Sequence, residues 1–303
     1  MNDVAEILKG ICQKDPCAIG RAISIVEDGD QRAEAILQGI DSESIKSTTI
    51  IGITGTTGVG KSTLVEQLIV HYRRLGYRVG IIAIDPSSSI SGGAILGDRI
   101  RMMKHVMDQD VVIRSMATRG RSGGLCAAAG AAARIMAFSG CNPIIIETAG
   151  VGQSEIDVIS FADNTILVLA PGLGDDIQAI KAGLVEIADI LVVNKADCPE
   201  ANTLMIELEL AVRDKNCMIC KTIATKNVGI EELATVIKNV DLRKRQNGLF
   251  KQKRQIMEEK EVLDWVIEIM REKFKNYLMT HTIPIKVDPR KVARELVDKF
   301  YKL

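Results

Sequence analysis

The stretch Thr49-Ile50-Ile51-Gly52-Ile53-Thr54-Gly55-Thr56-Thr57-Gly58-Val59-Gly60-Lys61-Ser62-Thr63 decides how this chain folds. Its first six residues are mostly apolar and β-branched, Gly55 to Thr63 fits GxxxxGK[ST], and Leu64, Val65, Leu68 and Ile69 follow at helical spacing. Strand, phosphate loop and helix therefore come in order. Glycines let such a loop turn successive backbone N–H groups inward on a polyphosphate, and the helix N-terminus adds positive potential. Lys61 is placed to reach the outer phosphates and Ser62 to hold Mg²⁺. The plain structural alternative is a glycine turn with a solvated lysine, and the flanking strand and helix weigh against it.

Outward from the loop, β-rich apolar runs at 49–54, 78–84, 111–113, 143–147, 165–170, 189–193 and 218–223 alternate with helical stretches. Alternation of this kind predicts an α/β fold, a P-loop NTPase with a mostly parallel sheet and helices on both faces. Ligands then bind beyond the carboxyl ends of the strands. Helical extensions flank this unit. Residues 1–46 read as short helices, with Asp15 capping one that starts at Pro16 and Asp30 starting another, and they serve as packing material. Residues 47–241 form the nucleotide domain. Residues 242–303 form a helical dimerisation or packing segment, whose long helix carries Leu263, Val266, Ile267, Met270, Phe274 and Leu278 on one stripe. Such a stripe either folds back on its own domain or meets a second copy, and a homodimer is expected.

Lysine plus arginine and aspartate plus glutamate both count 39 in the 303 residues. A net charge of zero disfavours an electrostatic nucleic-acid or membrane binder. The start lacks a basic region followed by an apolar core, and no run approaches a membrane span, so a cytoplasmic protein is expected. The seven cysteines form no framework and read as reduced thiols. Cys217 and Cys220 have the spacing of a metal pair, yet they fall in an expected strand with no second pair.

Asn194-Lys195-Ala196-Asp197 follows the buried run Ile190 to Val193. A carboxylate there can accept both N1–H and the exocyclic N2–H₂ of guanine, whereas adenine offers it an unprotonated ring nitrogen. Leaving that acceptor unpaired with the wrong base makes the selection strong, so GTP is favoured over ATP. Ala224 and Thr225 sit after the last run, where a second contact to the base would fall.

Asp85, Asp98 and Glu147 lie between these anchors, suited to Mg²⁺, although Asp85 and Asp98 could instead cap a turn and a helix. Hydrolysis needs a positioned water and charge stabilisation rather than a covalent nucleophile. Asp98, Glu147 and Gln153 are candidates to orient water, and Lys61 with one of Arg99, Arg101, Arg119 or Arg121 to stabilise charge. The Gly/Ser-rich loops 86–97 and 118–124 can order differently with GTP and GDP.

The segments Gly52 to Thr63, Ile84-Asp-Pro-Ser-Ser-Ser89, Gly92-Gly-Ala-Ile-Leu-Gly-Asp-Arg99, Glu147-Thr-Ala-Gly-Val-Gly-Gln-Ser-Glu155 and Asn194 to Asp197 resemble the MeaB/ArgK family. The resemblance covers nearly the whole chain, and Glu147 to Glu155 is its most specific part. It implies a homodimeric GTPase that gates cofactor loading of an adenosylcobalamin-dependent methylmalonyl-CoA mutase or relative and protects it. Carried over, it makes Lys61 and Ser62 phosphate and Mg²⁺ contacts, and Asp85, Asp98 and Glu147 metal or catalytic carboxylates. Asp197 becomes the guanine reader, and Gln153, Ser154 and Glu155 belong to a mobile loop facing the partner. The loop Ala117 to Gly124 departs from the family's more Ser/Pro-rich stretch. Two other readings stay open: a kinase for a periplasmic lysine/arginine/ornithine transport binding protein, and a metal-insertion GTPase.

Overall fold

A computed structural model describes residues 2–85, 105, 107–117, 122–148, 150, 161–172, 184–213, 216–281 and 288–301. Seven strands form one sheet: β1 (Ile50–Thr54), β2 (Val79–Asp85), β3 (Val111–Ala117), β4 (Ile144–Thr148), β5 (Asn164–Leu169), β6 (Ile190–Val193) and β7 (Met218–Lys221). Their order is β3-β2-β4-β1-β5-β6-β7, and every neighbouring pair is parallel. Each of the seven apolar runs of the sequence became one of these strands. The chain leaves β1 toward one side of the sheet and crosses to the other after β4. A crevice therefore opens beyond the carboxyl end of β1, where ligands of open α/β sheets bind.

Alternating side chains divide between the two faces. Ile51, Ile53, Ile81, Ile145, Ile166, Val168, Ile190 and Val192 pack with α5 (Lys61–Arg74) and a later helix, Ile230–Gln246. Ile50, Ile82, Ile84, Ile144 and Ile146 face α1 (Asn2–Cys12), α2 (Pro16–Glu27), α3 (Ala33–Gln38) and the alanine-rich α6 (Ser122–Phe138). Short α4 (Ser42–Ser47) leads into β1. At the far end of that face Leu167, Leu169, Leu191 and Val193 meet α7 (Leu184–Ile187) and α8 (Ala201–Ala211). Burial of each such side chain stabilises by roughly 1.5–3 kcal/mol, so the N-terminal helices share the core of the sheet.

Asp15 caps α2 as expected, its Oδ1 accepting from Cys17 N at 3.0 Å. Asp30 differs: it accepts from Arg32 N at 2.9 Å and binds the Arg32 guanidinium, so α3 begins only at Ala33. The boundary expected at 241/242 falls inside α9 (Ile230–Gln246), and the chain turns at Gly248, φ +79°. There α10 (Leu249–Thr280) begins, and α11 (Pro289–Tyr301) follows. On α10 the acids Glu261, Asp264 and Glu268 are buried, while Leu263, Val266, Ile267 and Leu278 are exposed. Arg134 of α6 binds Glu261 through Nη1 at 2.8 Å, which turns the acidic face inward. Among the described residues nothing covers these four apolar positions, while Met270 and Phe274 of the same stripe are half-buried.

Candidate nucleotide site

Beyond β1 the loop Gly55–Gly60 turns into α5. Gly55 has φ +150°, and a Cβ there would lie 2.2 Å from the Val168 carbonyl oxygen of β5. Gly60 has φ +95°, and its Cβ would lie 2.4 Å from Asn194 Nδ2. Both positions require glycine, because an L side chain would be strained and would also collide. Between them lie Thr56, Thr57, Gly58 and Val59, with Val59 fully buried. Lys61 starts α5 with only 6% of its surface exposed, and its Nζ donates to the Gly55 and Thr56 carbonyls at 2.7 and 2.9 Å. The ammonium thus lies over the loop, held by two backbone carbonyl oxygens.

Ser62 follows on the first turn of α5 and Thr63 after it. The Ser62 hydroxyl donates to Glu147 Oε1 at 2.6 Å. Glu147 is buried near the carboxyl end of β4, in register with Ile53 of β1 and Ala83 of β2. Asp85 ends β2 at the same edge, and its side chain lies outside the described residues. Oxygens of a hydroxyl and a carboxylate are hard donors, and a magnesium ion takes such ligands. The pair fits that ion. Thr148 Oγ1 and Thr54 Oγ1 both donate to the Gly150 carbonyl, at 3.0 and 3.1 Å, which ties the segment after β4 to the end of β1.

The second anchor forms a wall beside the loop. Asn194 Nδ2 donates to the Val59 carbonyl at 2.8 Å, and its Oδ1 accepts from Thr222 Oγ1 at 3.0 Å and Ala224 N at 3.1 Å. One buried amide therefore joins the phosphate loop, Thr222 just past β7 and the turn Ala224–Lys226. Lys195 adopts a left-handed φ of +55°, and Ala196 N donates to the Thr222 carbonyl at 3.0 Å. Asp197 stands at the mouth, where Lys226 Nζ donates to its Oδ2 at 2.8 Å. The Lys226 ammonium and the residue's own backbone N–H hold the Asp197 carboxyl below the usual carboxylate range. Thr225 lies in the same turn.

The structure thus brings the loop 55–63, Glu147, Asn194, Lys195, Asp197, Ala224 and Thr225 to one edge of the sheet. Asp98, Gln153, Arg99, Arg101, Arg119 and Arg121 lie outside the described residues. Thr54, Thr148 and Thr222 were missed in the sequence. A threonine inside or just after a strand gives no motif, and only strand register shows what its hydroxyl meets. Cys217 packs with the cluster around Leu191, and Cys220 with the cluster around Val192, on opposite faces of the sheet. That arrangement removes the spacing argument for a metal pair, and among the described residues no cluster of three or more metal-ligating side chains occurs.

Fold and site together define a P-loop GTPase, which binds and hydrolyses GTP. The family described as Methylmalonyl Co-A mutase-associated GTPase MeaB matches residues 19–281, and the chain belongs to it. A Pyrococcus abyssi protein named as a GTPase is 44% identical over 268 residues, 86% of this chain and 82% of its own. GTPase ArgK of Escherichia coli is 37% identical over 197 residues, 64% of this chain and 60% of its own. The mouse protein named methylmalonic aciduria type A homolog, mitochondrial, is 34% identical over 207 residues, 64% of this chain and 50% of its own. A solved LAO/AO transport system kinase is 24% identical, covers 100% of this chain and 99% of its own, and has a TM-score of 0.69. At that identity the likeness is one of fold.

Proposed function

We propose that this GTPase works as a chaperone of an adenosylcobalamin-dependent acyl-CoA mutase, gating cofactor loading and protecting the mutase through its nucleotide cycle. The observation that carries the nucleotide part is the buried Lys61 lying over the loop carbonyls beside the Ser62–Glu147 hydrogen bond. The mutase part draws its support from the family's description and from the mouse relative's name.

In this reading residues 47–241 bind the nucleotide and 242–303 make a homodimer in the cytoplasm. Gly55 to Thr63 cradle the phosphates, and Lys61 exchanges the Gly55 and Thr56 carbonyls for phosphate oxygens. Asp197 reads the guanine edge, with Ala224 and Thr225 behind the base and Asn194 and Lys195 holding the wall. Ser62 and Glu147, joined by Asp85 and Asp98, would hold Mg²⁺. When bound, that ion neutralises charge on the phosphate oxygens. Glu147, Asp98 or Gln153 orients the attacking water. Partners such as nucleic acid or membrane are not expected, and among the described residues no helix is long and apolar enough to cross a membrane. The transport-kinase alternative draws nothing from a likeness of fold alone.

The test is phosphate release from GTP by the purified chain, alone and with candidate mutases. GTP turnover that rises with a mutase, and that falls about 10²–10³-fold in Lys61→Ala, is expected. Equal use of ATP would remove the guanine assignment. Turnover unmoved by every adenosylcobalamin-dependent acyl-CoA mutase tested would remove the partner.

A further inference from the structure

The two segments that would face the base are joined at three depths. Deepest, Asn194 Oδ1 holds Thr222 and Ala224; next, the Ala196 N–H meets the Thr222 carbonyl; at the mouth, Lys226 meets Asp197. The first two use buried or backbone groups and would hold the wall together by themselves. The third is different in kind, because it touches the one carboxylate assigned to read the base.

The turn is built to present that lysine. Ile223 and Val228 pair as a closed bridge, with N···O distances of 3.0 and 3.3 Å, so residues 224–227 form a tight loop. Asn227 takes a left-handed φ of +55° and donates from its N–H to the Ala224 carbonyl at 3.2 Å. Lys226 ends the short helical turn and reaches Asp197 across the mouth. A carboxylate has about four lone-pair sites. Lys226 occupies one, and the two guanine donors need two more. The lysine and the base are therefore joint donors to Asp197 rather than competitors.

We propose that Lys226 is a positioning residue for guanine recognition, fixing the Asp197 carboxylate so that the N1–H and the exocyclic amine are both met. The proposal rests on Asp197 being the guanine reader. An exposed ion pair contributes little to folding, so its effect belongs to the orientation of the acceptor before the base arrives. Among the described residues Lys226 is the charged group facing Asp197, the carboxylate's other partner being its own backbone N–H. Its removal leaves the side chain to rotate into solvent and lets the carboxyl return toward the usual carboxylate range.

The test uses the full chain and calorimetric titration with GDP and IDP, the latter lacking the exocyclic amine. Lys226→Met is expected to weaken GDP by about two- to fivefold at pH 7.5 and IDP by less, so that the GDP:IDP preference shrinks. Lys226→Arg restores the preference. The ¹³C carboxyl signal of Asp197 titrates at higher pH in Lys226→Met than in the wild type. An unchanged GDP:IDP ratio in Lys226→Met overturns the proposal, including the case where both ligands weaken equally through a loosened turn. Asp197→Asn separates the two levels. If it keeps the preference for GDP over ADP, the reading of Asp197 fails. If it loses that preference while Lys226→Met keeps the wild-type ratio, only the role of Lys226 falls.

Discussion

Asn194 shows how much one side chain can do without touching a ligand. Its amide satisfies the Val59 carbonyl, the Thr222 hydroxyl and the Ala224 N–H at once. Asn194→Ala would leave these groups without partners in a region closed to water, and should cost about 1–3 kcal/mol of stability. Thermal or urea unfolding measures this; a variant as stable as the wild type would show that the bridge is dispensable. The motif in the sequence named the residue types but not this bridge, because the bridge depends on the registers of β1, β6 and β7. The cysteines give a second reading at this scale. Burial pushes the Cys220 thiol up to about 11, whereas Cys12 and Cys17 are exposed. Alkylation at pH 8 followed by mass spectrometry should label Cys12 and Cys17 and spare Cys220. The sign for stability follows: the folded thiol keeps its proton longer than the unfolded one, so this contribution is full below the unfolded value of about 9 and lost as pH rises toward 11. Labelling of Cys220 as fast as Cys12 would mean that β7 opens readily.

Elements were legible to different degrees, for physical reasons. A strand buried on both faces reads as a continuous apolar run, which is why β1, β4, β5 and even the four-residue Ile190–Val193 were visible, while the half-covered edge strands β3 and β7 still showed as shorter or mixed runs. The orientation of α10 was not, because periodicity gives a stripe but not what it faces. The inward face is set instead by ionic anchors scattered through the sequence. Asp163, 1% exposed just before β5, accepts from Ile50 N at 2.7 Å and from Arg254 Nε at 2.6 Å. Lys244 and Lys253 both donate to its backbone carbonyl, at 2.6 and 3.0 Å, and burial lowers the pKa of Lys253. These contacts dock the α9–α10 junction on the amino ends of β1 and β5. Removing Arg254 alone strands a buried carboxylate, so Arg254→Ala should lose about 3–5 kcal/mol in urea unfolding. The double variant Arg254→Ala, Asp163→Asn should regain part of that, since the uncompensated charge is gone. A double variant as unstable as the single one would place the cost in lost packing.

For the whole molecule, the two ends of the sheet have opposite tasks. The carboxyl edge gathers Lys61, Ser62, Glu147 and Asp197, and the amino edge anchors α10, whose outer surface carries an apolar row among charged side chains. Ile256, Leu263, Val266, Ile267 and Leu278 are all at least 43% exposed, spread along about 33 Å of helix. A monomer rarely leaves a stripe of that length to water, and rows of this kind mark association. A second copy laid against it would bury both stripes in one symmetric contact. The expected outcome is a dimer of the wild type in light scattering at micromolar concentration. Leu263→Glu with Ile267→Glu should give a monomer, because each dimer would then bury four carboxylates among apolar neighbours. Neither residue touches the nucleotide edge, so GTP turnover without a mutase should be the same in both proteins. A wild-type monomer at that concentration would free the stripe for a different protein. A double variant that stays dimeric would move the contact elsewhere on the surface.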